Sequence, residues 1–409
     1  MISAIKETKG IEKVLILQGG GSLGAFGCGA FKSIKKWGIR LDIIAGTSIG
    51  GINAAIIAGT KDVDDASRKL EEFWIELSEG FLSYFPTNGY DSKGPFNSFF
   101  ENFMYPLPKN SAFPNYYELR REQQIKGNQI SSFISSATFG NSKFFIPRWI
   151  QPQNLFELDK MIPSKWTYLY DHSPLIKTLE KYVDYEKLNP DASNRPRLIL
   201  TAVNVLNSRA LTFDSNRQQI KPKHILATSA YPLYNFPWIE IEKGVYAWDG
   251  GLLSNTPLRE VLDASPILDK IIFLVENYPK KIDKLPANLG EVYHRARDII
   301  FSDKTEHNIK MAATITRYLD FIEDLYQIVK DNKDRLRLDE KLIRKIDRKY
   351  KKYRLDHGAE IKEIFYISRD EEFPHIYENA DFSPRTIRNS ISEGERKADK
   401  VIGEHERHG

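Results

Sequence analysis

The chain is 409 residues long, 41% hydrophobic and 28% charged, which is enough apolar material for one large domain or for a domain with an appended lobe. A formal net charge of +4 is small for that length, so no nucleic-acid partner is expected from composition. The single cysteine, Cys28, excludes an intrachain disulfide framework. With a charged start (MISAIKETKGIEK) in place of an apolar leader, it gives the expectation of a reducing, cytoplasmic setting.

Lys13–Leu17 (KVLIL) reads as a short strand running straight into Gly19-Gly20-Gly21. Leu23, Phe26, Ala30, Phe31, Ile34 and Trp37 then recur at helical spacing, and Gly38 stands where a helix C-cap prefers glycine. A second strand over Leu41–Ala45 leads into Gly46-Thr47-Ser48-Ile49-Gly50-Gly51 and a helix over Ile52–Ala58. The nearly uncharged run from Ile43 to Thr60 resembles a membrane span in composition. Thr47, Ser48, Asn53 and several glycines argue against that, so any membrane contact is expected to be peripheral.

From about 80 to 170 the sequence is rich in Phe, Tyr, Trp, Pro and Asn and loses clear periodicity. It reads either as an inserted lid, with Phe99, Phe100, Phe103, Phe144, Phe145 and Trp149 lining a cleft, or as a loop-rich part of the core. Beyond it a helix is predicted near Pro174–Val183, strands over Arg197–Asn204 and Ala210–Phe213, and a helix over Lys223–Ala230. Gly244–Trp248 precedes Asp249-Gly250-Gly251, and a strand follows over Lys270–Glu276. Residues 308–356 read as two long charged helices, with Ile315, Leu319, Ile322, Tyr326 and Val329 on one face of the first. A final strand, Ile361–Ser368, and a polar helix end the chain. Strands alternating with glycine turns and helices predict an α/β fold with a parallel-sheet core and helices on both faces.

Three short motifs could carry chemistry. Gly46-Thr47-Ser48-Ile49-Gly50 is a G-x-S-x-G turn between strand and helix. Such a turn exposes a serine nucleophile and aims a helix N-terminus at it. Gly19-Gly20-Gly21-Ser22-Leu23-Gly24 could supply backbone N–H groups to an oxyanion. It also fits the G-x-G-x-x-G spacing of a dinucleotide loop, with Asp42 near the place of a ribose-binding acid. Asp249, flanked by Gly250 and Gly251, could act as base to a serine once burial has raised its pKa. As a bare tripeptide it is equally an ordinary turn. No histidine precedes His172, and none sits in a comparable glycine turn.

In that order, GGGSLG, GTSIGG and DGG resemble the patatin-like phospholipases. DHSPLIKTLEKYVDYEKLN, YAWDGGLLSNTPL and ADFSPRTIRNSISEG resemble a bacterial branch of that family with a C-terminal extension of unknown role. The resemblance implies a catalytic domain over 1–276, with the insertion at about 80–170, and a partly helical extension over 277–409 packed on it. It implies a dyad of Ser48 as nucleophile and Asp249 as base. Oxyanion donors would be Gly19, Gly20, Gly21 and Gly24, with Gly46, Gly50, Gly250 and Gly251 supporting the turns. Hydrolysis of a lipid or other acyl ester would pass through an acyl-enzyme, with no cofactor and no metal. A transacylase or a non-phospholipid esterase with the same dyad, a nucleotide-binding regulatory protein and an inactive lipid-binding relative are the rival readings. Leu23 stands where many patatins have arginine, and Tyr231 and Tyr234 stand where smaller residues are expected, which would narrow an acyl pocket.

Two features lie outside the motifs. Arg335, Arg337, Lys341, Arg344, Lys345, Arg348, Lys349, Lys351, Lys352 and Arg354 make one segment strongly basic, with Leu338, Leu342, Ile346, Tyr350 and Tyr353 as its candidate apolar face. It reads either as a solvated helix or as a contact for anionic headgroups. Cys28, among small residues in a helix, is expected to serve packing.

Overall fold

A computed structural model of the chain describes residues 10–82, 136–151, 166–333, 335–336, 339–355, 359–370 and 378–408. The strands in chain order are β1 (Ile11–Leu17), β2 (Ile43–Gly46), β3 (Ile146–Pro147), β4 (Tyr170–Asp171), β5 (Arg197–Asn204), β6 (Ala210–Asp214), β7 (Ile239–Glu242), β8 (Val245–Asp249), β9 (Asp269–Glu276) and β10 (Ile361–Ser368). The helices are α1 (Ala25–Lys36), α2 (Ile49–Gly59), α3 (Ala66–Leu82), α4 (Pro174–Leu179), α5 (Pro222–Ser229), α6 (Leu258–Leu262), α7 (Leu289–Asp331), α8 (Glu340–Leu355) and α9 (Pro384–His408).

The main sheet runs β10-β9-β1-β2-β5-β8-β7, with β6 also paired to β5. Neighbours from β10 to β5 are parallel, as the alternation of strand and helix predicts. Beyond β5 the sheet turns antiparallel, because β6 returns beside β5 and β7–β8 is a hairpin. The sheet is therefore mixed where the sequence pattern suggested a parallel one. A hairpin needs only a short turn, whereas each parallel pair needs a crossover.

Parallel strands covered on both faces read as apolar runs, and β1 does so over Val14–Leu17. Leu15 and Leu17 enter a large cluster with α1, α2 and α3, while Val14 and Ile16 enter a second with Ile43, Ile272 and the α6 residues Leu258 and Val261. Two-residue alternation along each strand thus feeds two cores, with helices on both faces.

Residues assigned to the extension supply both edge and cover. β10 lies parallel to β9, with Phe365 stacked on Phe273 at 4.7 Å between ring centroids. α9 crosses α1 so closely that a Cβ on Gly394 would lie 2.0 Å from the Phe26 carbonyl oxygen, and one on Gly29 would lie 1.8 Å from that of Ile391.

Several expectations are revised. α7 begins at Leu289 and not near residue 308. Asn288 caps it by accepting the Glu291 N–H at 3.0 Å while Glu291 accepts the Ala287 N–H at 2.8 Å, a capping arrangement that N-x-x-E spells out in sequence. Phe144 and Phe145 are buried with Phe236, so they form core and not an open acyl-facing wall, although Trp149 is exposed. Phe99, Phe100 and Phe103 lie outside the described residues. Cys28 is buried, and burial pushes its thiol far above its ordinary value, in keeping with a packing role.

The glycine crossing gives a test of opposite signs within one helix. Gly394→Ala forces backbone apart and is expected to cost roughly 1–3 kcal/mol in urea unfolding. Gly403→Ala meets only the Trp37 ring at 3.7 Å and should be neutral or stabilising by up to about 1 kcal/mol. Equal effects at the two positions would contradict the crossing.

Candidate functional site

β1 and β2 are in register with Leu17 beside Gly46, so the two glycine turns that follow them leave the sheet at one level. On the next strand, Leu200 of β5 lies beside Gly46. β8 descends antiparallel along the end of β5 and stops at Asp249, opposite Ala202. Topology thus brings together three turns that are far apart in sequence.

Ser48 caps α2 at φ 58° and ψ −130°, a left-handed backbone that a residue with a Cβ adopts at a cost of order 1–3 kcal/mol. The tight turn fits because its flanking glycines touch main chain. A Cβ on Gly46 would lie 2.2 Å from the Gly50 carbonyl oxygen, and one on Gly50 would lie 2.2 Å from that of Leu17. The Ser48 N–H donates to Thr228 Oγ1 of α5 at 3.2 Å, and Thr47 Oγ1 lies 2.7 Å from Thr201 Oγ1 of β5. Ser48 itself is half-exposed, whereas Asp249 is buried.

The Asp249 carboxylate accepts the Gly251 N–H on Oδ1 at 2.7 Å, and its Oδ2 has no hydrogen-bond partner among the described residues. Burial pushes its pKa up to about 7, against the lowering influence of the Ser48 hydroxyl and the Gly251 N–H. Gly250 is held against Thr201, where a Cβ would lie 2.5 Å from Oγ1. A buried carboxyl poised near neutrality beside a strained serine has the form of an acid–base pair.

The first glycine turn lies against the same serine. A Cβ on Gly19 would lie 2.9 Å from that of Ser48. The Gly19 N–H donates to Asn255 Oδ1 at 3.2 Å, and its carbonyl accepts from Asn277 Nδ2 at 3.1 Å. Among the described residues the N–H groups of Gly20 and Gly21 have no hydrogen-bond partner. Gly24 sits deeper, packed on Ile49 and Trp74. Leu23 is buried in the same turn. Asp42 lies at the opposite, N-terminal end of β2, where its carboxylate accepts the Lys13 N–H at 2.8 Å, far from the place a ribose would require. That position removes the support the sequence lent to a dinucleotide loop.

Residues not singled out in the sequence hold these turns in place. Asn255 ties the Asp249 segment to Gly19. Asn277 and Gln18 join the ends of β9 and β1, with the Asn277 N–H donating to Gln18 Oε1 at 2.9 Å. Asn255 lies within the stretch YAWDGGLLSNTPL, but its partner is 236 residues away. The turn Glu378–Ala380 closes over the glycine loop: Ser22 Oγ donates to the Glu378 carbonyl at 2.8 Å, and a Cβ on Gly21 would lie 2.2 Å from the Asn379 carbonyl oxygen. Tyr231 and Tyr234 are 4.9 Å apart between ring centroids, and Asn379 Nδ2 donates to the Tyr234 hydroxyl. The tyrosines reach the site's electrostatics, since Asp249 is among the groups raising the pKa of each, after burial.

Among the described residues His294, Asp298 and Glu378 form one group with the donors for a metal ion. The space between them is taken by Arg297, whose Nη2 lies 3.0 Å from His294 Nε2, 3.1 Å from Asp298 Oδ1 and 2.9 Å from Glu378 Oε1. Arg369 Nη2 adds a second guanidinium contact to Glu378 Oε1 at 2.9 Å. Burial alone would raise the Glu378 carboxyl, but Arg369, His294 and Arg297 hold it well below the usual carboxylate range. The cluster is a buried ion network that fixes the 378–380 turn. His172 stands apart, bonded through Nε2 to the Leu226 carbonyl at 3.0 Å.

A strained serine on a strand–helix turn, a buried aspartate and a glycine loop thus meet at one end of a single α/β sheet. The chain belongs to the patatin-like phospholipase family, whose profile matches residues 15–262. Neuropathy target esterase sws of Drosophila persimilis and of Drosophila melanogaster are each 32% identical to it over 68 residues. That is 17% of this chain and about 5% of those proteins. The chain therefore spans only a small part of the curated relatives it matches. Among solved structures, VipD from Legionella pneumophila is similar with a TM-score of 0.39 at 16% identity, over 97% of this chain and 68% of that one. The type III effector ExoU is similar with a TM-score of 0.28 at 11% identity, over 97% and 54%. Both likenesses are too slight to bear on fold or activity.

The Asp249 carboxyl has a consequence for stability. Its folded pKa of about 7 lies above the ordinary 3.8, so between those values the native state binds more protons than the unfolded chain, and stability falls as pH rises. Asp249→Asn is expected to raise the thermal midpoint at pH 8 by roughly 3–6 °C, with the gain shrinking toward pH 4.5. A gain independent of pH would contradict the raised carboxyl.

Proposed function

We propose that the chain is a lipid acyl hydrolase that cleaves carboxylic esters with Ser48 as nucleophile and Asp249 as base. What supports this reading best is the Asp249 carboxyl, buried within hydrogen-bonding influence of the hydroxyl of a serine held in a strained turn. Membership of the patatin-like phospholipase family supports the lipid ester as substrate class.

Asp249 Oδ2 takes the Ser48 proton as Oγ attacks the ester carbonyl. The N–H groups of Gly20 and Gly21 are the donors best supported for the oxyanion, with Gly19 able to join only by sharing its bond to Asn255. Collapse of the tetrahedral intermediate breaks the ester C–O bond, and Asp249 returns the proton to the departing alkoxide. Water then attacks the acyl-enzyme, giving its proton to Asp249, and Ser48 is reprotonated as the fatty acid leaves. In a bare dyad the carboxylate does alone what imidazole does elsewhere, which its raised pKa assists. An alcohol or lysolipid reaching the acyl-enzyme in place of water would make the same site a transacylase, and added acceptor in a product assay distinguishes the two.

Wild type, Ser48→Ala and Asp249→Asn should be compared for labelling by a fluorophosphonate and for turnover of p-nitrophenyl esters of increasing chain length. Wild type alone is expected to be labelled, at Ser48, and both variants should lose turnover by about 10³-fold or more. The wild-type kcat/KM should rise with pH through an apparent pKa of about 7, as the base must be ionised. Labelling of folded Ser48→Ala to the wild-type extent would refute the assignment.

A further inference from the structure

The outer half of α7 carries apolar side chains that nothing among the described residues covers. Ile315, Tyr318, Phe321, Ile322, Leu325 and Ile328 are all exposed, and their spacing of three and four sets them on one face. α8 covers only the edge of that face: Tyr326 stacks on Tyr350 at 4.1 Å, and its hydroxyl donates to Asp347 at 2.8 Å. α8 itself is exposed and basic, with Lys341, Lys345, Arg348, Lys349 and Lys352 in solvent and only Glu340 and Asp347 as acids. A contiguous apolar stripe beside a basic helix marks an interaction surface and not an ordinary solvated hairpin.

From this juxtaposition we propose that the α7–α8 hairpin docks on an anionic lipid bilayer, the α7 stripe entering the headgroup boundary and the α8 cations meeting lipid phosphates. The proposal rests on the lipid-hydrolase reading for its purpose and on charge complementarity for its occupant. A second copy of the chain would bring another strongly basic helix to the same face, whereas an anionic membrane neutralises it. No helix among the described residues is long and apolar enough to cross a membrane, so the contact is at the surface. The root of α7 joins the hairpin to the site. Phe301 packs on Tyr278 at 5.0 Å and on Tyr231 at 5.9 Å, and the exposed Val292, Ile299 and Ile300 continue the apolar stripe there. Docking would therefore bring the lipid surface to the side of the site where Tyr231 follows Ala230, whose carbonyl accepts the Asp249 N–H at 3.0 Å.

The test is vesicle co-sedimentation of the full chain with phosphatidylcholine alone and with phosphatidylcholine containing phosphatidylglycerol. Molar mass by light scattering and turnover of a soluble short-chain ester are measured on the same samples. Wild type is expected to bind the anionic vesicles and to release them as salt is raised. Lys345→Glu with Lys349→Glu should weaken binding roughly tenfold or more, and Phe321→Asp with Leu325→Asp should abolish it, both leaving soluble-ester turnover unchanged. Wild type left in the supernatant, or bound equally to neutral vesicles, overturns the proposal. A wild-type dimer that Phe321→Asp with Leu325→Asp converts to monomer, without loss of vesicle binding, assigns the face to a second copy and also overturns it. Vesicle binding without soluble-ester turnover would sink the hydrolase reading and leave the docking surface standing.

Discussion

At the ends of β1, β2 and β8 main chain meets main chain with no space for a side chain between, and the rest of the site depends on that crowding. Gly50 lies on the Leu17 carbonyl, Gly250 on Thr201, and Gly21 on the carbonyl of Asn379. Each approach is closer than any real Cβ allows, so the residue type follows from distance before any chemistry is considered. The same crowding surrounds Ser48 in its left-handed backbone: the turn leaves no room for a Cβ at Gly46 or Gly50 on either side of it. A strained residue persists where its surroundings over-determine it, and here the surroundings are backbone.

The C-terminal segment is built into this arrangement. β10 completes one edge of the sheet, α9 is pressed onto α1, and the Glu378–Ala380 turn lies on the glycine loop. What fixes that turn is a buried network of two arginines, a histidine and two carboxylates. Such networks are weak evidence for net stability, because desolvating the charges offsets much of their attraction. Their geometry is nevertheless demanding. Removing one partner leaves others buried and uncompensated, so the network specifies where the turn sits even if it adds little to the folding free energy. Through Ser22 and Gly21 that position is passed to the loop beside Ser48.

Legibility in the sequence followed the range of the interactions. The three glycine turns were readable because a turn's requirements are local: a strand before, a glycine at fixed spacing, a helix or strand after. The five parallel strands were readable for the same reason, as short runs dominated by aliphatic and aromatic residues with helices between. The antiparallel hairpin was not, because β7 carries Glu240 and Glu242 on a half-solvated edge and lacks an apolar run. Asn255, Asn277 and Glu378 were illegible as site residues, since their partners lie more than 230 positions away and an isolated Asn or Glu has no pattern. The aromatic stretch misled in part, because density of Phe and Trp reports burial without saying whether core or cleft is its destination. Phe144 and Phe145 went to core.

The site's features are individually unfavourable for folding. A carboxyl raised from 3.8 to about 7 costs on the order of 4 kcal/mol when ionised above neutrality, and the backbone of Ser48 costs about 1–3 kcal/mol more. Together these approach the 5–15 kcal/mol by which domains are stable. The two apolar clusters that sandwich the sheet must therefore carry the deficit, and they are placed to do so: every parallel strand bearing a site turn is buried on both faces below it. The same burial that stabilises the strands removes water from the end of β8, and it is the loss of water that raises Asp249. Stability of the sheet and basicity of the carboxylate thus have one physical source. Opening the end of β8 to solvent would relieve the aspartate, lower its pKa, and remove the basicity on which the proposed proton transfer from Ser48 depends.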